Sequence, residues 1–231
     1  MCNAYFFVSS IFFVIFVAST KKIRMKAILI NGSPHAHGCT YTALRAVADE
    51  LERGGVETEI LHIGHKTVRG CIACYKCQQL GRCVFDNDPV NEVAKKFEEA
   101  DALVVGSPVY YAGPNATLCA LLDRLFFSTP FSKRMKVGAA VASARRAGTT
   151  TTIDRLNKYF TIAEMPVVSS RYWNEVHGST AEDVMKDEEG LQVMRVLGRN
   201  MAFLVRAIHR EREQSGLPEV EAERIYTNFI R

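Results

Sequence analysis

The sequence predicts an α/β fold, with a parallel sheet buried between two layers of helices. Three observations carry that prediction. From Met25 onward, short apolar runs rich in Val, Ile, Leu and Ala alternate with amphipathic stretches. The runs are apolar at successive positions, as strands covered on both faces must be. Most are followed by a polar or turn-rich loop and then a helical pattern, which is the layout of repeated strand–helix–strand units.

Taken in order, residues 26–31 (KAILIN) read as the first strand and 40–54 as a helix. Residues 56–63 form the second strand, followed by a cysteine-rich loop and a helix over 89–100 with Asp88 as its N-cap. The third strand covers 102–107 (ALVVGS), and a helix follows over 115–127. A fourth strand over 136–143 (KVGAAVAS) precedes a helix over 150–162, and a fifth strand covers 166–170. One long helix covers 182–213, and its mixed charges after Arg199 suit a solvated face. Five strands in such a pattern favour the flavodoxin-like order 2-1-3-4-5, whose ligands sit at the carboxyl ends of the strands. The loops after strands 1, 3 and 4 are therefore where function is expected.

Composition narrows the class further. With 231 residues, 48% hydrophobic and 23% charged, the chain is globular rather than disordered. Its formal charge is +4, but Lys21, Lys22 and Arg24 stand in a stretch without acids, so the remainder is nearly neutral. Without interleaved basic and aromatic residues, nothing points to nucleic acid.

Residues 1–24 are expected to be a hydrophobic extension outside the fold, and 25–231 a single domain, because Met25 opens a complete strand-and-loop start. The apolar run 4–18 is short for a bilayer core of ~30 Å and lacks the basic residues that precede a signal segment. A membrane anchor and a signal stay open as alternatives. An anchor with its basic cluster on the C-terminal side would leave the body cytoplasmic, the location expected here.

The loop after the first strand, GSPHAHGCT (32–40), is polar and leads into a helix. Amides at such a helix start bind anions, and the Ser33 and Thr40 hydroxyls can add donors to a phosphate. The loop matches neither the dinucleotide glycine pattern nor the nucleoside-triphosphate loop. After the third strand, SPVYYAGPN (107–115) fixes two adjacent tyrosines at the sheet end, where a flat ring could stack. After the fourth, SARRAGTT (143–150) offers guanidinium groups and another helix start.

Four cysteines, Cys71-x2-Cys74-x2-Cys77-x5-Cys83, lie within 13 residues after the second strand. Three at successive x2 spacings resemble iron–sulfur ligation more than the paired knuckles of structural zinc. A cluster, a zinc ion and metal-free thiols all remain open on spacing alone. Disulfides are disfavoured in an otherwise cytosolic-looking chain.

Together, AILINGSP (27–34), V-x-G-S-P-V-Y-Y (104–111), L-x-x-L-L-D-R (118–124) and SARRAGTT resemble the NAD(P)H-dependent FMN reductase family. The resemblance implies an FMN phosphate on Ser33, His35, Gly38, Cys39 and Thr40. It places the isoalloxazine ring against Pro108, Val109, Tyr110 and Tyr111, with Ser143, Arg145 and Gly148 at its polar edge. Cys39 departs from the family, which usually has Asn before the Thr. The cysteine spacing is similar to that of iron–sulfur flavoproteins, which implies a [4Fe–4S] cluster on Cys71, Cys74, Cys77 and Cys83. NAD(P)H as co-substrate, a second electron acceptor and a homodimer or homotetramer are implied as well. On this reading the cofactor carries the chemistry, and no titratable catalytic residue is required. A relay-type iron–sulfur flavoprotein and a non-catalytic redox sensor are the alternatives.

Other patterns are weaker. Cys39-x5-Arg45 has phosphatase spacing but lacks the glycine-rich cradle. His35 and His37 lie in the first loop, His62 and His65 go with the end of another strand, and together they complete no nucleophile–His–acid set.

Overall fold

The computed structural model describes residues 24–221, 225–227 and 229. Apart from Arg24, the N-terminal extension expected over residues 1–24 lies outside them.

Among the described residues, six strands form the sheet: β1 (Met25–Asn31), β2 (Val56–His62), β3 (Ala102–Tyr110), β4 (Gly113–Pro114), β5 (Val137–Ala144) and β6 (Glu175–His177). Their order is β2-β1-β3-β5-β6, with β4 pairing antiparallel to the end of β3. The other pairings are parallel. Counting only the parallel strands, this is the expected 2-1-3-4-5 arrangement. The helices are α1 (Cys39–Arg53), α2 (Cys77–Leu80), α3 (Val90–Glu99), α4 (Ala116–Ser128), α5 (Thr149–Ile162), α6 (Ala181–Val184) and α7 (Glu188–Gln214).

The strands are apolar throughout because both faces are covered. Ala27 and Leu29 pack with α1 and α7, whereas Ile28 and Ile30 pack with α3, α4 and α5. All four are fully buried, and each large aliphatic side chain so buried contributes about 1.5–3 kcal/mol.

Three expectations need correction. A two-residue strand, β4, extends the predicted five strands to six, because the tyrosine loop folds back as a tight hairpin. The predicted fifth strand, 166–170, makes only an isolated bridge, Gly138 to Val167. The chain then bulges out of the sheet and returns as β6, with the Asn174 side-chain amide donating to the Ala140 carbonyl at 3.1 Å. The long C-terminal helix is broken before Glu188. There Asp187 accepts from the backbone of His177 at 2.7 Å and of Gly190 at 2.9 Å, tying β6 to the start of α7.

Candidate functional site

Asn31, buried at the end of β1, organises the first loop. Its Oδ1 accepts from Ser33 N at 3.0 Å, and its Nδ2 donates to Ala36 O at 3.2 Å and His35 O at 3.4 Å. The Ser33 hydroxyl accepts from His35 N at 3.2 Å, and the His62 ring bonds the Ser33 carbonyl at 2.8 Å. Gly64 lies so close that a Cβ there would sit 2.2 Å from that carbonyl. The α1 helix then starts after Gly38 without any side-chain cap. Its first-turn amides are therefore available to an anion.

Around this loop lies an open cleft of about 1550 Å³, counting space open to solvent. Of the predicted cofactor residues, Ser33, His35, Gly38, Cys39, Thr40, Pro108, Val109, Tyr110, Ser143 and Arg145 line it. Tyr111 and Gly148 do not. Tyr111 is fully exposed at the tip of the β3–β4 hairpin, with φ of 50°. Gly148 sits behind the wall with φ of 91°, where a Cβ would be 2.8 Å from Ala112 Cα and from Val109 Cγ1. Its role is to let the third loop lie against the second.

Sequence reasoning missed the segment 178–182, which closes the far side of the cleft. The available signal was Thr180-x-x-Asp183, which forms a capping box at the start of α6. Glu182 in this segment is held below the ordinary carboxylate range by its own backbone amide and the Thr180 hydroxyl. Burial pushes the Cys39 thiol above its ordinary 9.0. Its backbone amide opposes the rise, and the Asp183 and Glu182 charges add to it.

The cysteine loop lies between β2 and α3. Cys71, Cys74, Cys77 and Cys83 all line one small pocket, with Tyr75, Phe85, Arg124, Phe127 and Ser128 among its other walls. Cys71 and Cys74 are exposed, Cys77 is half-buried and Cys83 is buried. The loop turns through left-handed backbone at Ala73 (φ 52°) and Tyr75 (φ 57°), on either side of Cys74. Such conformations in non-glycine residues concentrate at functional sites. Among the described residues, the buried Ser128 Oγ has no hydrogen-bond partner. Among the described residues, no three His, Cys, Asp or Glu side chains are grouped to hold a single metal ion. The thiols wall a space instead of meeting at a point.

Pro89, not the predicted Asp88, is the N-cap of α3, and Asp88 stands just before it. Its Oδ1 accepts from Val90 N at 3.2 Å, opening α3, while its other oxygen pairs with the fully buried Arg124.

Residues 25–180 match the NADPH-dependent FMN reductase family. An iron–sulfur flavoprotein of Methanocaldococcus jannaschii is 36% identical over 197 residues, covering 80% of this chain and 100% of that protein. One from Methanosarcina thermophila is 29% identical over 194 residues, covering 82% and 100%. A flavodoxin from the domain Archaea superposes with a TM-score of 0.55 at 18% identity, over 79% of this chain and 99% of that one, which shows the shared fold. The chain belongs to the NADPH-dependent FMN reductase family and is similar along most of its length to iron–sulfur flavoproteins.

Proposed function

We propose that this chain is an FMN-dependent oxidoreductase that carries electrons from NAD(P)H to a second acceptor such as a flavin or quinone, with a [4Fe–4S] cluster on Cys71, Cys74, Cys77 and Cys83. The observation that carries this reading is the presence of two built sites on one chain. One is a cleft formed by the loops after β1, β3 and β5, and the other is a cavity walled by four thiols.

FMN supplies the exchange between hydride and electron chemistry, and a cluster supplies one-electron steps. The chain's own residues bind and orient. The uncapped first turn of α1, with Ser33 and Thr40, would hold the phosphate. Val109 and Tyr110 would hold the ring, and Ser143 and Arg145, which line the same cleft, would serve its polar edge. Support for the cluster comes from four thiols lining one pocket and from left-handed backbone on either side of Cys74. The names of the relatives point the same way.

A homo-oligomer and a cytoplasmic location complete the proposal. Exposed Ile72, Tyr75, Leu80 and Phe127 around the cysteine loop suit a covered surface. Among the described residues, no helix is long and apolar enough to cross a membrane.

The test is anaerobic purification followed by absorption spectroscopy, iron and acid-labile sulfide assays, and NAD(P)H oxidation with quinone or free flavin. Bound flavin, iron and sulfide together with turnover are the expected result. Absence of flavin defeats the proposal, and absence of iron and sulfide removes its cluster part. Bound flavin without turnover transfers the reading to a non-catalytic redox sensor.

A further inference from the structure

We infer that Arg124 sets the reduction potential of the four-cysteine centre, by holding a buried positive charge and two N–H donors against the sulfur of Cys83. This rests on the cluster reading above and concerns only what this chain's own residues do to such a centre.

Arg124 Nε and Nη2 donate to Cys83 Sγ at 3.3 and 3.2 Å. The same guanidinium donates to the carbonyls of Phe85 at 3.3 Å and Arg69 at 3.2 Å, and its Nη1 pairs with Asp88. The Arg124 and Asp88 side chains are only 1% and 3% exposed, so water does not screen the arrangement. The Asn91 side chain pins the backbone on either side, accepting from Cys83 N at 3.1 Å and donating to Cys83 O at 3.0 Å. Arg124 thus holds the sulfur of Cys83, and Asn91 holds its backbone.

The four cysteines are not equivalent. Among the described residues, the sulfurs of Cys71, Cys74 and Cys77 receive no hydrogen bond. Of the four, only Cys83 is buried, and among the described residues only it meets a cation. The Arg124–Asp88 pair is neutral as a whole, but its positive end faces the sulfur. One-electron reduction adds negative charge to a centre already held by thiolates. N–H donors and a nearby cation stabilise that added charge more than the oxidised state, and the potential rises. A lysine could not reproduce the fork. One planar guanidinium here serves a sulfur, a carboxylate and two carbonyls, whereas an ammonium is a single point of charge.

The test compares wild-type protein with Arg124→Lys and with the double variant Arg124→Gln/Asp88→Asn, which avoids stranding a buried carboxylate. Each is purified anaerobically, assayed for iron, sulfide and FMN, and titrated with dithionite as one-electron donor under EPR detection. The expected result is full iron and flavin content in all three. The reduction equilibrium of the cluster should fall at least tenfold in the double variant, a shift of about 59 mV for one electron. Arg124→Lys should shift it less, and the flavin potential should not move. Loaded variants that titrate at the wild-type potential would overturn the inference. So would variants that lose iron while wild type keeps it, because Arg124 would then only build the loop. Wild-type protein without iron and sulfide would instead mark failure of the cluster reading itself.

Discussion

The hydroxyls of Thr40 and Ser143 lie 2.8 Å apart, joining the first turn of α1 to the end of β5 at the wall of the cleft. Both side chains are buried, at 1% and 4% exposure. Either can donate to the other, and whichever does so, the second hydroxyl proton remains free for a ligand. Thr40→Val keeps the methyl group and removes this donor. FMN affinity should fall about tenfold or more, since an unmade buried hydrogen bond costs ~1–3 kcal/mol. Thr40→Ser should retain most of it. Flavin-fluorescence quenching reads both, and equal affinity of the Val variant and wild type would remove Thr40 from the phosphate site.

Gly148 links the second and third loops through backbone alone. With φ of 91° and a virtual Cβ 2.8 Å from Ala112 Cα, Gly148→Ala must distort one loop or the other. The strain amounts to about 1–3 kcal/mol. The variant should melt several degrees lower and bind flavin more weakly, although no Gly148 atom lines the cleft. Unchanged melting temperature and affinity would show that the loops move apart without cost.

These two positions show how unevenly the site could be read from the sequence. Thr40 and Ser143 stand in short strings at predictable sheet ends, so both could be named before their contact was known. β6 could not. Its three residues, Glu-Val-His, carry no apolar run, and the apolar stretch 166–170 drew the assignment instead. Sheet bonding across that gap is completed by the Asn174 side chain, which strand patterning does not register. The far wall of the cleft, 178–182, was lost with it, because the helix start was placed one residue inside α6. Arg124 belonged to a recognised string, yet its bond to Cys83 spans 41 positions and exists only in three dimensions.

Lys133 gives the fold a pH dependence in the alkaline range. It is buried, donating to the carbonyls of Phe131 at 3.2 Å and Thr129 at 3.3 Å, and its ammonium lies 4.4 Å from the Phe131 ring centre. Burial, with the Lys136 charge adding, brings it down from 10.5 to about 8. Between those values the unfolded chain binds more protons at this site than the folded one, so stability rises with pH through that window. Below about 8 both states are charged and the whole burial penalty is present. Lys133→Met lacks this titration. Its stability relative to wild type should fall by on the order of 2 kcal/mol between about pH 7 and about pH 10. Urea denaturation of both proteins at the two pH values measures it, and a constant difference would mean that Lys133 keeps its ordinary proton affinity.

Cys39 opens α1, and its Sγ donates to Gly178 O at 3.5 Å, bridging the first loop to the segment that closes the far side of the cleft. Burial, reinforced by the Asp183 and Glu182 charges, keeps the thiol protonated further into the alkaline range than a free cysteine. Iodoacetamide at about pH 8 should therefore modify Cys39 in flavin-free protein more slowly than it modifies free cysteine, because the thiolate is the reactive form. FMN should slow the reaction further by covering the loop. Cys39→Ser replaces a weak donor with a strong one and should tighten FMN binding about two- to fivefold, the scale of one neutral hydrogen bond at ~0.5–1 kcal/mol. Peptide mass spectrometry after timed alkylation follows the first effect and fluorescence titration the second. Alkylation of Cys39 at an equal rate with and without FMN would place the phosphate elsewhere.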